Sequence, residues 1–222
     1  MEITKDLAEV AGTLIGDGSL SRFVATSENR LRHQIAFTGS ADELSYYANF
    51  VQPVIIKYFG VRGRLFIRKY KSGESTRYYI FSRKVFEFFN HLGIPYGKKS
   101  HIVFIPDRIF EDKELLRSCL RGLWDTDGTV YRRYTKQYKN HAVWYSKYLT
   151  LEFKTASEQM VKDMKRAFDL FGIKSNKILK NKLNIFVFRV NTQSEIQKFL
   201  DVIGFRNSHH LNRLARFRAE SI

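Results

Sequence analysis

A chain that carries the same pattern twice has little freedom in its fold: each half must build a similar unit, and the two units must meet in related ways. Val10-Ala11-Gly12-Thr13-Leu14-Ile15-Gly16-Asp17-Gly18 returns as Leu120-Arg121-Gly122-Leu123-Trp124-Asp125-Thr126-Asp127-Gly128, which sets Asp17 and Asp127 110 positions apart. Phe59-Gly60-Val61 returns as Phe171-Gly172-Ile173 at an offset of 112, and Leu92-Gly93-Ile94 as Ile203-Gly204-Phe205 at 111. Phe37-Thr38-Gly39-Ser40-Ala41-Asp42 is echoed by Phe153-Lys154-Thr155-Ala156-Ser157-Glu158 at 116. Four ordered matches at nearly one offset mark a duplicated unit of about 95 to 110 residues.

Periodicity predicts the same elements in both units. Leu7, Val10, Leu14 and Ile15 follow helical spacing up to Gly16-Asp17-Gly18, as Leu116, Leu120, Leu123 and Trp124 do before Asp127-Gly128. Alternation over Arg30–Thr38 sets Leu31, Ile35 and Phe37 against Arg30, Arg32 and Gln34. A helix over Asp42–Phe59 then ends at Gly60. Over Arg62–Tyr70 the strand pattern sets Arg62, Arg64, Arg68 and Tyr70 opposite Leu65 and Ile67; Arg77–Phe81 is the returning strand and Val85–Leu92 a closing helix. The second unit offers strands over Thr129–Lys136, Val143–Lys154, Ile173–Leu179 and Leu183–Val190, with helices over Glu158–Phe171 and Ser194–Ile203. The expected fold class is therefore α+β: two pseudo-symmetric α-β-β-α-β-β-α units with antiparallel, saddle-shaped sheets, spanning residues 1–94 and 112–222, the latter ending in a basic helix with Arg213, Arg216 and Arg218. Residues 95–111, which hold two of the three prolines, form the linker.

Composition narrows the partner. The 222 residues include 38 Lys+Arg against 22 Asp+Glu, a formal +16, while 44% hydrophobic residues are enough to build a core. So large a surplus points to a polyanion, nucleic acid before an acidic membrane surface. The single cysteine, Cys119, excludes a disulfide framework or a cysteine zinc site. Met1-Glu2-Ile3-Thr4-Lys5-Asp6 is charged where a secretion signal is apolar, and no run approaches the roughly 20 apolar residues of a membrane span. The expected setting is intracellular, the cytoplasm of a prokaryote or archaeon or an organelle, with no membrane contact.

Glycine inside a helix costs about 1 kcal/mol against alanine, so Gly12 and Gly16 in one helix, and Gly122 with Ser118 and Thr126 in the other, need a reason. A groove that admits another backbone supplies one. Two such helices crossing in contact bring Asp17 and Asp127 side by side at their C-terminal ends, where like charges and helix dipoles repel. A divalent cation resolves that conflict: Mg²⁺ takes carboxylate and carbonyl oxygens, keeps waters and binds phosphate. The chemistry that suits the arrangement is hydrolysis of a nucleic-acid backbone.

Both nonapeptides resemble the LAGLIDADG motif of homing endonucleases, and the duplication resembles that family's monomeric, two-repeat members over about residues 4 to 205. The resemblance implies motif helices at the interface between the units and metals, Mg²⁺ with Mn²⁺ as substitute, held by Asp17 and Asp127 with the carbonyls of Gly16 and Thr126. It also implies one strand cut per centre across the minor groove, short 3′ overhangs, intron homing and a monomer without an obligate protein partner. The family's water-orienting lysine or glutamine falls on Lys154; the matching first-unit position is Thr38, with Gln34 one alternation earlier. Ile15 stands where the motif has its first acid, which Asp125 supplies in the second copy.

For double-stranded DNA, the basic and aromatic phase offers Arg32, Gln34, Arg62, Arg64, Arg68, Tyr70, Arg77 and Tyr79 in the first unit. The second offers Arg132, Tyr134, Tyr148, Thr150, Glu152, Lys180 and Lys182. Arginine can read guanine through two bonds and Glu152 can accept from cytosine, whereas Lys98, Lys99, Lys136, Lys139 and Arg213 suit phosphates. His209-His210 lacks metal-ligand spacing. The alternative function is an intron RNA-splicing maturase or a non-cleaving DNA-binding regulator on the same fold. The chain starts without Cys or Ser and ends without His-Asn, which argues against an intein.

Overall fold

The computed structural model describes residues 1–25, 29–71, 73–132, 136–143 and 148–219. Helix α1 (Lys5–Gly16) starts at Thr4, whose hydroxyl accepts from the amide of Leu7 at 3.4 Å. Strands β1 (Gly18–Ala25) and β2 (Arg30–Ser40) follow. A continuous helical stretch then runs through a 3₁₀ turn (Ala41–Glu43), α2 (Leu44–Tyr46), a π-helical segment (Tyr47–Val51) and α3 (Gln52–Phe59). Pro53 explains the π segment: it has no N–H for the carbonyl four residues back, and the helix widens ahead of it. Gly60 closes the stretch in the left-handed region at φ 69°. β3 (Arg64–Tyr70), β4 (Gly73–Phe81) and α4 (Arg83–His91) complete the unit, with sheet order β1-β2-β4-β3.

A short helix α5 (Asp107–Phe110) precedes α6 (Lys113–Thr126), which is capped by Asp112. Buried Val103, Ile105 and Ile109 make the connection between the motif units part of the core. The second sheet has the matching order β5-β8-β10-β9, from β5 (Gly128–Arg132), β8 (Leu149–Thr155), β10 (Phe186–Val190) and β9 (Leu179–Lys180). Helices α7 (Glu158–Leu170), α8 (Gln193–Val202) and α9 (Ser208–Ala219) cover it. All pairings within the two four-stranded sheets are antiparallel, and the α+β architecture is the one the periodicity predicts.

The last two strands of the second unit are shorter than predicted, β10 beginning at Phe186 and not at Leu183. The stretch predicted over Ile173–Leu179 is strand only from Leu179, because the amide of Lys174 is taken by Glu195 at 2.7 Å and that of Asn176 by the carbonyl of Arg189 at 2.8 Å. β6 (Lys136–Gln137) pairs with β7 (Ala142–Val143), and the stretches of the predicted strands Thr129–Lys136 and Val143–Lys154 at residues 133–135 and 144–147 lie outside the described residues. Among the described residues no helix is long and apolar enough to cross a membrane.

Candidate active site and nucleic-acid face

The motif helices α1 and α6 cross at their glycines. A Cβ on Gly12 would sit 2.0 Å from the carbonyl oxygen of Cys119, and one on Gly122 2.0 Å from that of Glu9, so each helix backbone lies in the other's groove. One turn further on, a Cβ on Gly16 would meet the Thr126 hydroxyl at 2.1 Å and the Asp127 carboxyl carbon at 3.4 Å. The crossing therefore brings together the two helix ends that carry Asp17 and Asp127, the geometry expected from the paired motifs.

Each end is anchored to its own sheet in the same register. Gly18 pairs with Phe37 and Gly128 with Phe153, so Thr38 and Lys154 occupy equivalent places beside the two aspartates. Burial is the main force on both carboxyls. It pushes Asp17 up to about 8, with Glu43 and Asp127 adding to the rise and Lys99 opposing it, and pushes Asp127 up to about 6 against Lys99.

Lys99 is the site residue that composition assigns to phosphate and the structure places elsewhere. Its ammonium donates to the helix-terminal carbonyls of Leu14 at 2.6 Å, Ile15, and Gly16 at 3.1 Å. Burial draws it down to about 8, while Asp127 and Asp17 hold it up. A cation thus already rests on the oxygens at the end of α1, within the field of both carboxylates, which shows that this donor set suits positive charge. No group of three His, Cys, Asp or Glu side chains forms a cage among the described residues. Mg²⁺ needs none, since one or two carboxylates, waters and substrate phosphate complete its shell. Asp17 and Asp127 fit it, with the Gly16 carbonyl as a further oxygen that Lys99 now occupies. The Thr126 hydroxyl bonds back to Gly122 and Leu123 at 3.0 and 3.1 Å, fixing the last turn of α6.

A buried polar network braces the crossing. Asp125 is 0% exposed and takes the amides of Arg206 and Asn207; Asn207 also donates to Glu43 at 2.9 Å, and the Arg206 guanidinium holds buried Glu9. Asp125, the extra acid of the second motif, thus ties the segment before α9 to both motif helices.

On the sheets, pairing register puts Arg32, Gln34, Thr38, Arg64, Arg68, Tyr70, Arg77 and Tyr79 on the phase opposite the core. Arg77 bridges Thr38 at 2.5 Å and the Tyr70 hydroxyl at 2.8 Å, a cross-strand girder that also engages the first unit's counterpart of Lys154. Arg62 is exposed but lies before β3, off the alternation assigned to it.

The second sheet departs further from expectation. Glu152 is 4% exposed and already binds Lys154 at 2.8 Å, Arg189 and the Tyr131 hydroxyl at 3.2 Å, so its oxygens are not free to accept from cytosine. Thr150, 2% exposed, donates to Asn191 at 3.0 Å. Arg132 turns to α9 and donates to the carbonyl of Phe217. Lys180 pairs with Phe186, on the core phase at the sheet edge, and lies over its ring at 5.0 Å. Tyr148 and Lys182 are exposed; Tyr134 lies outside the described residues. Arg213, assigned to phosphate, instead holds Thr129 at 3.1 Å and His209 at 2.8 Å. His210 is buried and stacked on Phe205, and burial lowers it to about 4, so it is a neutral packing residue.

A duplicated α+β chain whose two halves meet through acid-ended, glycine-grooved helices beneath two antiparallel sheets defines the class. Residues 114–204 match the model of the LAGLIDADG-like domain, over the second of the two repeats. The fold of the chain is similar to that of I-DmoI in complex with DNA and Mn, at TM-score 0.64 and 17% identity over 90% of this chain and 96% of that one. I-SmaMI bound to uncleaved DNA in the presence of calcium ions gives TM-score 0.62 and 13% identity, over 96% and 89%. In sequence, the chain is 29% identical over 217 residues to the replication factor C small subunit of Methanocaldococcus jannaschii, covering 96% of itself and 10% of that protein. It is 25% identical over 209 residues to the probable cell division protein WhiA of Clostridium beijerinckii, covering 91% of itself and 57% of that protein.

The raised carboxyls set a pH signature for the metal-free protein. Asp17 and Asp125, both raised to about 8, bind protons more tightly folded than unfolded, so their contribution falls as pH climbs towards 8. His210 opposes this only below about pH 6.5 and Lys99 only above about 8. The melting temperature should therefore fall between pH 6.5 and 8, and added Mn²⁺ should raise it more at pH 8, where the carboxylates are free to bind. Scanning fluorimetry reads both trends; a melting temperature that climbs across the window contradicts the burial of these acids.

Proposed function

We propose that the chain is a sequence-specific, divalent-metal-dependent double-strand DNA endonuclease. The observation that carries this reading is the convergence of Asp17 and Asp127 on the α1–α6 crossing, in a chain of net charge +16 with arginine-lined sheets. Bound at the paired carboxylates, Mg²⁺ would supply an activated water and stabilise charge on the reacting phosphate. The chain's own residues do the rest. Asp17 and Asp127 offer negative charge from two rigid helix ends. Lys154, held at 2.8 Å by Glu152 beside Asp127, is placed to orient the attacking water, whereas Thr38 is engaged by Arg77, so the two centres are unequal. Lys99, drawn down towards neutral pH between both acids, can hold or release a proton there.

Two non-identical sheets read a long, asymmetric target, and one cut per strand across the minor groove leaves short 3′ overhangs. Mobility of an intron, or of another inserted element, is the role such a target serves. I-DmoI and I-SmaMI, solved with DNA and metal, support the reading. One second reading is a non-cleaving DNA-binding regulator on the same fold, against which both acids and the grooved interface stand; the likeness to a probable cell division protein is consistent with a role other than cleavage.

Selection of cleaved duplexes from a randomised DNA pool with Mg²⁺ separates the two: a nuclease returns one asymmetric family of cut sites, a regulator returns bound but intact DNA. Binding should weaken steeply with salt, with a log–log slope of about −0.9 for each phosphate neutralised. A splicing assay on a host intron tests the maturase alternative.

A further inference from the structure

The chain has 19 phenylalanines, and among the described residues only Phe23 and Phe81 are exposed, at 42% and 54%. Strand register puts both rings on the outer face of the first sheet. Phe81 ends β4 directly opposite Gln34, Phe23 on β1 stands opposite Arg32, and Arg32 and Gln34 are neighbours on that face of β2. Two bare phenyls thus flank two side chains that can hydrogen-bond base edges. Further along the same face the aromatics are engaged by their neighbours. The Arg64 guanidinium lies 5.2 Å from the Phe66 ring centre and Tyr79 meets that ring at 5.8 Å, while Arg68 and Arg77 lie 5.1 and 5.9 Å from the ring of Tyr70.

A phenyl has no hydrogen-bonding group, so it gains only by covering apolar surface. One exposed apolar side chain is ordinary; two that bracket a polar pair mark an interface. The surroundings decide what covers them. Arg30 and Arg32 line a cavity of ≈ 390 Å³ beside Phe81, which favours a polyanion over an apolar protein face. The major groove of DNA offers one apolar group, the C5-methyl of thymine, and phenylalanine is among the side chains that suit it. Side chains opposite each other on paired strands stand about 5 Å apart, and successive base pairs rise about 3.4 Å. Rings beside Gln34 and Arg32 therefore fall within one or two steps of the bases those residues would read.

We propose that Phe23 and Phe81 are specificity-determining residues: each ring packs against the C5-methyl of a thymine in the major groove, next to the bases contacted by Arg32 and Gln34. This rests on the endonuclease reading only as far as DNA binding by the outer face of the first sheet. The consequence is a target that carries a thymine for each ring.

The test uses the full chain and the duplex selected from a randomised pool, with each thymine replaced in turn by deoxyuridine, which removes only the methyl group. Affinity is read by fluorescence anisotropy with Ca²⁺, for wild type, Phe23→Ala and Phe81→Ala. Wild type is expected to lose about fourfold in affinity at each of two thymines, the worth of one buried methyl. Each variant is expected to bind the unmodified duplex more weakly by at least that factor, to become indifferent to uracil at one of the two positions, and to melt at the wild-type temperature. A wild type indifferent to every uracil overturns the assignment, as do variants that stay as sensitive to uracil as wild type. A melting temperature lowered by several degrees makes the rings structural and also overturns it. A wild-type chain that binds the selected duplex but does not cut it with Mg²⁺ refutes the nuclease reading, while the uracil series still decides the two rings; a wild type that selects no DNA sequence overturns both.

Discussion

Gly12→Ala should unfold the interface between the two units. Alanine is the better helix former by about 1 kcal/mol, so on propensity alone the change stabilises. Contact decides otherwise. The new methyl would stand 2.0 Å from the Cys119 carbonyl oxygen and 2.9 Å from the Leu123 nitrogen, both backbone atoms of a buried helix that cannot rotate away. Relief requires α1 and α6 to separate at a crossing that includes Glu9, Thr13, Cys119 and Leu123, all 2% exposed or less. Overpacking of this kind costs about 1–3 kcal/mol, and the lost contacts along both helices raise the expected total to about 4. For a chain of this length that lowers the melting temperature by roughly 8–16 °C. Gly122→Ala, facing the Glu9 carbonyl at the same 2.0 Å, should match it. Gly16→Ala is the contrast, because its nearest neighbour is the Thr126 side chain; pairing it with Thr126→Ala should restore much of the stability. Thermal unfolding of the four variants checks the set, and a Gly12→Ala protein as stable as wild type contradicts the crossing.

That crossing is legible in the chain because periodicity and duplication reinforce each other. Gly12 and Gly122 fall in equivalent places on two apolar helical stripes, and the alternation in β2, β3 and β4 gives each side chain its face. What alternation does not contain is occupancy. Glu152 and Thr150 lie on the phase assigned to DNA, but Arg189, Tyr131 and Asn191 come from other strands and loops to cover or engage them. Lys180 lies in a strand of two residues, too short for period two to fix its phase. The short β9 and the π segment follow from single competing bonds and one proline, features no window average registers.

Asp17→Asn and Asp127→Asn should each abolish double-strand cutting, lowering its rate by about 10³ or more. Asparagine keeps the shape and one oxygen but removes the charge that binds metal, and loss of several kcal/mol of transition-state stabilisation corresponds to that factor. Neither change should harm the fold. Both carboxyls are raised by burial, so the neutral amide relieves a buried charge, and the metal-free melting temperature at pH 8 should hold or rise. Lost cutting in a protein of unchanged or greater stability separates chemistry from folding.

The aspartates are legible because each recurs in matched context, whereas their surroundings are not. Lys99 reaches α1 across 83 to 85 positions, Asn207 reaches Glu43 across 164, and Arg206 reaches Glu9 across 197. No local pattern encodes such meetings. Lys99 stands in the chain as one of a lysine pair in the linker, indistinguishable from Lys98, and only the path of residues 95–106 past the end of α1 separates their roles.

The most direct test of the account is linearisation of a supercoiled plasmid carrying the selected target, with Mg²⁺, by wild type, Asp17→Asn and Asp127→Asn. Wild type is expected to linearise the plasmid, and each variant to leave it supercoiled or nicked in one strand. Full double-strand cutting by either variant would contradict the proposal that the paired carboxylates at the helix crossing carry the chemistry.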